Sequence, residues 1–136
     1  MEILASASGS LTGPDYQVVL ACGQHRLMAD EPEHLQGGDT GPDPYSLVLA
    51  GLSACTVITL RMYASRKEWP LENAEVACRL VKANPGARPE IERSIVLHGH
   101  LSGEQKERLL QIANACPVHK MLSAENTISS RLDNSP

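Results

Sequence analysis

Residues 43–67 read DPYSLVLAGLSACTVITLRMYASRK, and this stretch decides the fold. Asp43 is a good helix N-cap, and Pro44 at the first helical position gives up only an N–H that has no partner there. From Tyr45 to Leu60 no residue is charged; from Arg61 onward the pattern becomes amphipathic. The pattern predicts a helix over Tyr45–Lys67 whose first half is enclosed on every side, with Cys55 in the middle of that enclosed half. It should stop by Trp69-Pro70, because proline disfavours helical geometry in the residue before it. The apolar run Leu47–Leu60 is shorter than the ~20 residues of a membrane span and is closed by Arg61, with Arg66 and Lys67 beyond. The reading is a buried core helix, with no membrane partner.

Working outward, the first forty residues read as strands and turns. Glu2–Ser8 fits a first strand. Tyr16–Leu20 and His25–Ala29 flank a Gly23-Gln24 turn and suggest a hairpin. Asp30–Pro44 holds three prolines and three glycines and reads as a loop. After the helix come two strands, Ala74–Val81 and Ile91–Leu101, with a turn at Asn84-Pro85-Gly86. Ser102-Gly103-Glu104-Gln105 is a capping-box pattern, followed by an apolar stripe of Leu109, Leu110, Ile112 and Ala113. Pro117 starts a new turn after Cys116, His119–Leu122 reads as a short helix, and Thr127–Leu132 as a closing strand. Strands, a long helix, strands, helices and a strand in that order indicate an α+β fold with a mostly antiparallel sheet.

The chain has 136 residues, 42% hydrophobic, with a formal charge of −4, as expected of one globular domain spanning 1–136. Aromatic residues make up 3% and phenylalanine is absent, so the core must be aliphatic and modest. An oligomer interface is a common remedy for such a core. Lys and Arg are scattered, without a basic run interleaved with aromatics, which argues against nucleic acid. No glycine-rich phosphate loop follows a strand, so nucleotide binding has no support. The N-terminal segment has neither a basic start nor a long apolar stretch, so a cytoplasmic location is expected.

In that compartment, the four cysteines at 22, 55, 78 and 116 are not expected to be structural disulfides. There is no C-x-x-C, and His98 and His100 have no cysteine near them in sequence, so no metal is expected. Cys22 and Cys78 read as small apolar residues. Cys116 stands at the N-cap of a short helix, where N–H groups favour a thiolate, with His119 one turn on. Cys55 lies among Ala50, Gly51, Ser53 and Ala54, which would let another element approach closely. Taken alone, these residues leave packing and chemistry both open.

Gly37-Gly38-Asp39-Thr40-Gly41-Pro42-Asp43-Pro44-Tyr45-Ser46-Leu47, continuing to Leu52-Ser53-Ala54-Cys55-Thr56, resembles the motif that opens the central helix of the OsmC/Ohr family. Cys116-Pro117-Val118-His119 resembles the family's second-cysteine motif. His25–Pro32 and Leu60–Lys67 resemble a less studied OsmC-like branch, and the resemblance covers essentially the whole chain. It implies an intertwined homodimer with antiparallel sheet wrapped around long central helices. It also implies a thiol peroxidase active in oxidative stress defence. In that chemistry Cys55 attacks an organic hydroperoxide and becomes a sulfenic acid, Cys116 condenses with it to a disulfide, and an external lipoyl-type dithiol restores both thiols. No bound cofactor is implied.

One position departs from the family pattern. Better-known members carry a Glu after the motif proline, paired with an Arg that polarises the thiolate. Here Tyr45 takes that position, and Glu31–Pro44 contains no Arg. A thiolate in an apolar site needs a cation or donor, and the sequence offers Arg26, Arg61, His119 and Tyr45. The alternative from another class keeps the fold and makes the apolar site a pocket for a small hydrophobic or acyl ligand.

Overall fold

The computed structural model describes residues 1–133, and it is α+β as expected. The chain divides into two compact units, Met1–Ala50 and Gly51–Pro136. The first holds a three-stranded antiparallel sheet of β1 (Ser8–Leu11), β2 (Val18–Cys22) and β3 (His25–Ala29). The expected hairpin is present: Cys22 pairs with His25 across Gly23-Gln24, and Gly23 adopts the positive φ of 61° that the tight turn requires. The first strand falls later than the expected Glu2–Ser8, because it is fixed by pairing of Ser8–Leu11 with Val18–Ala21.

The loop after β3 is organised by Asp30, which is buried. Its carboxylate accepts from the Thr40 hydroxyl (2.6 Å), the Thr40 N–H (3.1 Å) and the Glu31 N–H (2.7 Å). The Thr40 hydroxyl, then its N–H, hold the Asp30 carboxyl below its ordinary 3.8; burial opposes them, and the Glu31 and Gly38 N–H groups add to the lowering. Gly41 lies so close to the Met28 carbonyl that a Cβ would collide with it. The glycines of this loop therefore let backbone pass against backbone.

Helix α1 runs Pro44–Arg66. Asp43 caps it, accepting from the Ser46 N–H at 3.2 Å. It ends in a Schellman arrangement: the Trp69 N–H reaches the Ala64 carbonyl, the Glu68 N–H reaches Ser65, and Glu68 takes a φ of 57°. The expectation of complete enclosure is corrected. Only Leu52, Thr56, Leu60 and Ala64 are buried, a stripe with a period of four, while Val48, Ile58 and Met62 are exposed and Cys55 is half-buried. By length and composition α1 could cross a membrane, a test that the core helix of a soluble protein also passes.

In the second unit, β4 (Asn73–Val81) pairs antiparallel with β5 (Glu90–His98). β5 ends before the expected Leu101 because Gly99 turns with a φ of 135°, tight against the Pro70 carbonyl. Ser102 caps α2 (Gly103–Ala113) in a complete capping box with Gln105, as the sequence predicts. α3 spans Pro117–Leu122. The expected strand at Thr127–Leu132 is absent; the segment is irregular and exposed, and no described strand pairs with it. The core is a cluster of Leu60, Ala64, Leu71, Ala74, Leu109 and Ala113.

Leu60 is fully buried at the centre of this cluster. Leu60→Ala is expected to cost about 3 kcal/mol in denaturant unfolding, as transfer and cavity terms add. A second expectation concerns acid. Asp30 has a depressed folded pKa, so its contribution is fully present above 3.8 and is lost as pH falls through the lower folded value. Asp30→Asn should flatten the pH dependence of the unfolding midpoint in that window; an unchanged slope would refute the clamp.

Candidate active site

α2 ends at Ala113, and the chain turns at once into the N-cap of α3, with the Cys116 N–H donating to the Ala113 carbonyl at 3.3 Å. Pro117 follows at the first helical position, so Cys116 takes an extended conformation (φ −67°, ψ 145°) and its sulfur faces the new helix. The His119 N–H donates to Cys116 Sγ at 3.3 Å. This is the N-cap read from the sequence, with sulfur in the role usually taken by oxygen.

Cys116 is fully buried, and α1 supplies the groups that meet it. Thr56 Oγ1 lies 4.0 Å from Cys116 Sγ, and the neighbouring Cys55 side chain is close enough to act on the Cys116 thiol. The structure thus brings together the two cysteines that the sequence singles out; both are free thiols. Burial pushes the Cys116 thiol up, but the His119 N–H, then Cys55, Thr56 and the Val118 N–H, pull it down further, and the balance lies below an ordinary thiol.

The cation of the site is Arg93, in β5, which the sequence reading did not single out. Its Nη1 donates to Thr56 Oγ1 at 3.1 Å, and its Nη2 donates to Asn114 Oδ1 at 2.9 Å. Nη2 also lies 3.0 Å from His119 Nδ1. A guanidinium only donates, so Nδ1 accepts and the ring proton belongs on Nε2. A signal for Arg93 exists in the sequence: it shares the inward alternation of β5 with the half-buried Ile95 and Leu97. Beside it lies an open groove of about 470 Å³, with walls that include Leu52, Ile91, Ile95, Leu110 and Leu122.

The other candidates are placed as follows. His119 is in the network. Arg61 donates to the carbonyls of Leu71 (2.8 Å) and Glu72 (3.1 Å), fastening the connection into β4. Arg26 is exposed on β3 and donates to the His25 carbonyl at 3.4 Å. Tyr45 is exposed in the first turn of α1. Of the remaining thiols, Cys78 accepts from the Ser53 hydroxyl at 3.3 Å, and Cys22 lies in β2 opposite His25.

Residues 37–131 match the OsmC family, described as OsmC-like protein. The chain belongs to the OsmC-like protein family. Both cysteine motifs of this OsmC-like protein lie inside the matched segment. No curated protein matches the chain. Among solved structures, an OsmC-like protein from Mycoplasma pneumoniae superposes with a TM-score of 0.75 at 22% identity, over 90% of this chain and 89% of its own. An organic hydroperoxide resistance protein OsmC from Legionella pneumophila matches with a TM-score of 0.58 at 20% identity, covering 89% of this chain and 91% of that one. An organic hydroperoxide resistance protein from Elizabethkingia anophelis reaches 0.64 at 20% identity, over 89% and 90%. At these identities the likeness establishes the fold, and the family includes proteins of organic hydroperoxide resistance.

Proposed function

We propose that this OsmC-like protein is a thiol-dependent peroxidase that reduces organic hydroperoxides. The observation that carries the reading is that Cys55, half-buried on α1, is among the groups acting on the buried Cys116 thiol at the cap of α3, whose sulfur lies 4.0 Å from the hydroxyl of the adjacent Thr56. Cys55 is the more accessible sulfur and takes the attacking role. Its thiolate attacks the terminal peroxide oxygen, an S–O bond forms as the O–O bond breaks, and the alkoxide takes a proton to leave as alcohol. The Cys116 thiolate then attacks the Cys55 sulfenic sulfur, an S–S bond forms, and hydroxide leaves as water. An external dithiol, of lipoyl type by the family resemblance, returns both thiols by exchange. The apolar groove in the same unit suits the hydrocarbon part of such a substrate.

Cys55→Ser should abolish peroxide consumption, since a hydroxyl is neither ionised nor soft enough to attack. Cys116→Ser should still allow one turnover, leaving a Cys55 sulfenic acid that a dimedone-type reagent captures. Excess peroxide should then carry it to sulfinic acid faster than in the parent. The role assignment fails if Cys116→Ser loses the first oxidation while Cys55→Ser retains it.

The working unit in this reading is a homodimer. The exposed Val48, Ile58 and Met62 of α1 give one long helix more apolar surface than its own chain covers. Sedimentation at micromolar concentration should give twice the chain mass; a folded monomer there would count against it.

A further inference from the structure

Arg93 is half-buried, and its three partners, Thr56, Asn114 and His119, carry no formal negative charge. Among the described residues the ion pairs are Arg79–Glu92, His98–Glu75 and Arg131–Asp133, so no carboxylate lies within 4.0 Å of Arg93. Holding a cation partly out of water without a counter-ion costs free energy. The cost is offset when an anion forms next to its partners, and the sulfur of Cys116 is the group there that can become one.

We propose that Arg93 is a positioning residue that, through the Thr56 hydroxyl and the His119 turn, makes Cys116 the leaving sulfur when a dithiol reduces the Cys55–Cys116 disulfide. This rests on the peroxidase reading for the existence of that disulfide. Thr56 has one hydroxyl hydrogen and two acceptors in view, the Leu52 carbonyl at 2.7 Å and Cys116 Sγ at 4.0 Å. Arg93 occupies a lone pair of Oγ1 and fixes the oxygen, so a charge on Cys116 needs only to turn that hydrogen toward sulfur. Through Nδ1, Arg93 also holds the ring of the residue whose N–H already donates to the sulfur. The groups facing Cys116 are Cys55 and Thr56 from α1 and Val118 and His119 from α3, with Arg93 of β5 behind them.

The exchange then has a direction. The incoming thiolate bonds to Cys55, the more exposed sulfur; the Cys55–Cys116 bond breaks, and its electron pair goes to Cys116. The second thiol of the reductant attacks its own sulfur in the mixed disulfide and releases Cys55 as thiolate. Exchange is faster when the expelled thiol is more acidic, so a stabilised Cys116 thiolate accelerates the step.

Two measurements test this. In a full chain carrying Cys22→Ser, Cys55→Ser and Cys78→Ser, Cys116 is the sole thiol and its ionisation is read by ultraviolet thiolate absorbance against pH. Arg93→Gln should move that titration to higher pH, and Arg93→Lys should restore part of the shift. If Arg93→Gln does not fold, Thr56→Val and Thr56→Ser make the same comparison, with Val shifted and Ser near the parent. In the chain with all four cysteines, diamide is used to form the disulfide, and dithiothreitol or, for trapping, glutathione reduces it. The glutathione adduct should map to Cys55, and Arg93→Gln should slow dithiothreitol reduction roughly tenfold. An unmoved titration in folded Arg93→Gln or Thr56→Val, an adduct on Cys116, or failure of diamide to join Cys55 and Cys116 overturns the proposal. The titration involves no peroxide, so a chain that consumes none yet titrates as expected refutes the peroxidase reading and supports the role of Arg93.

Discussion

The packing of Leu52, Thr56, Leu60 and Ala64, the part of α1 that lies inside the second unit, governs both the core and the chemistry. A helix repeats every 3.6 residues, so positions 52, 56, 60 and 64 advance by about 40° at each step and form one continuous stripe that winds slowly around α1. Its lower half, Leu60 and Ala64, packs with Leu71, Ala74, Leu109 and Ala113. Its upper half carries Thr56, and with it the neighbouring Cys55, to the cap of α3. A change in helix register that misfitted Leu60 would also part the sulfurs. Geometry at the cysteines is thus held by aliphatic packing rather than by a covalent or metal constraint, and the complete burial of Leu60 and Leu109 gives that packing its stiffness.

Around the sulfur, two opposing effects decide the state of the thiol. Removal from water favours the neutral form, and directed donors favour the ion. At Cys116 the donors are two backbone N–H groups and two side chains. They are anchored differently: the N–H groups by the helix that the cysteine itself starts, Thr56 by a guanidinium across the site. Redundant anchoring of this kind tolerates side-chain motion at the open groove.

Much of this was legible in the residues. Asp43-Pro44, Ser102 with Gln105, and Cys116-Pro117 announce helix starts because capping is local chemistry, and the structure has all three. The Gly23-Gln24 turn is local too. What escaped depends on partners distant in sequence. The first strand is placed by its pairing with β2, and Thr127–Leu132 has the composition of a strand without a described neighbour to pair with. The enclosure expected of α1 followed from its composition, which says how much apolar surface a helix has and not what lies against it. Tyr45, Arg26 and Arg61 are donors that the sequence offers to a thiolate. The cation that the structure places in the network around Thr56 and His119 is Arg93, at an inward position of a strand where a lone charge among Ile95 and Leu97 is itself a sign.

The atom that caps α3 is also the atom expected to change its bonding. As thiol or thiolate, Cys116 Sγ accepts the His119 N–H and closes the first turn of a helix only six residues long. A short helix draws much of its persistence from its ends. Sulfur bonded to a second sulfur is a poorer acceptor than a thiolate, so the disulfide proposed above would weaken that cap. Amide exchange in the first turn of α3 would then register the oxidation state of the pair, and helix fraying becomes a local, reversible record of redox history.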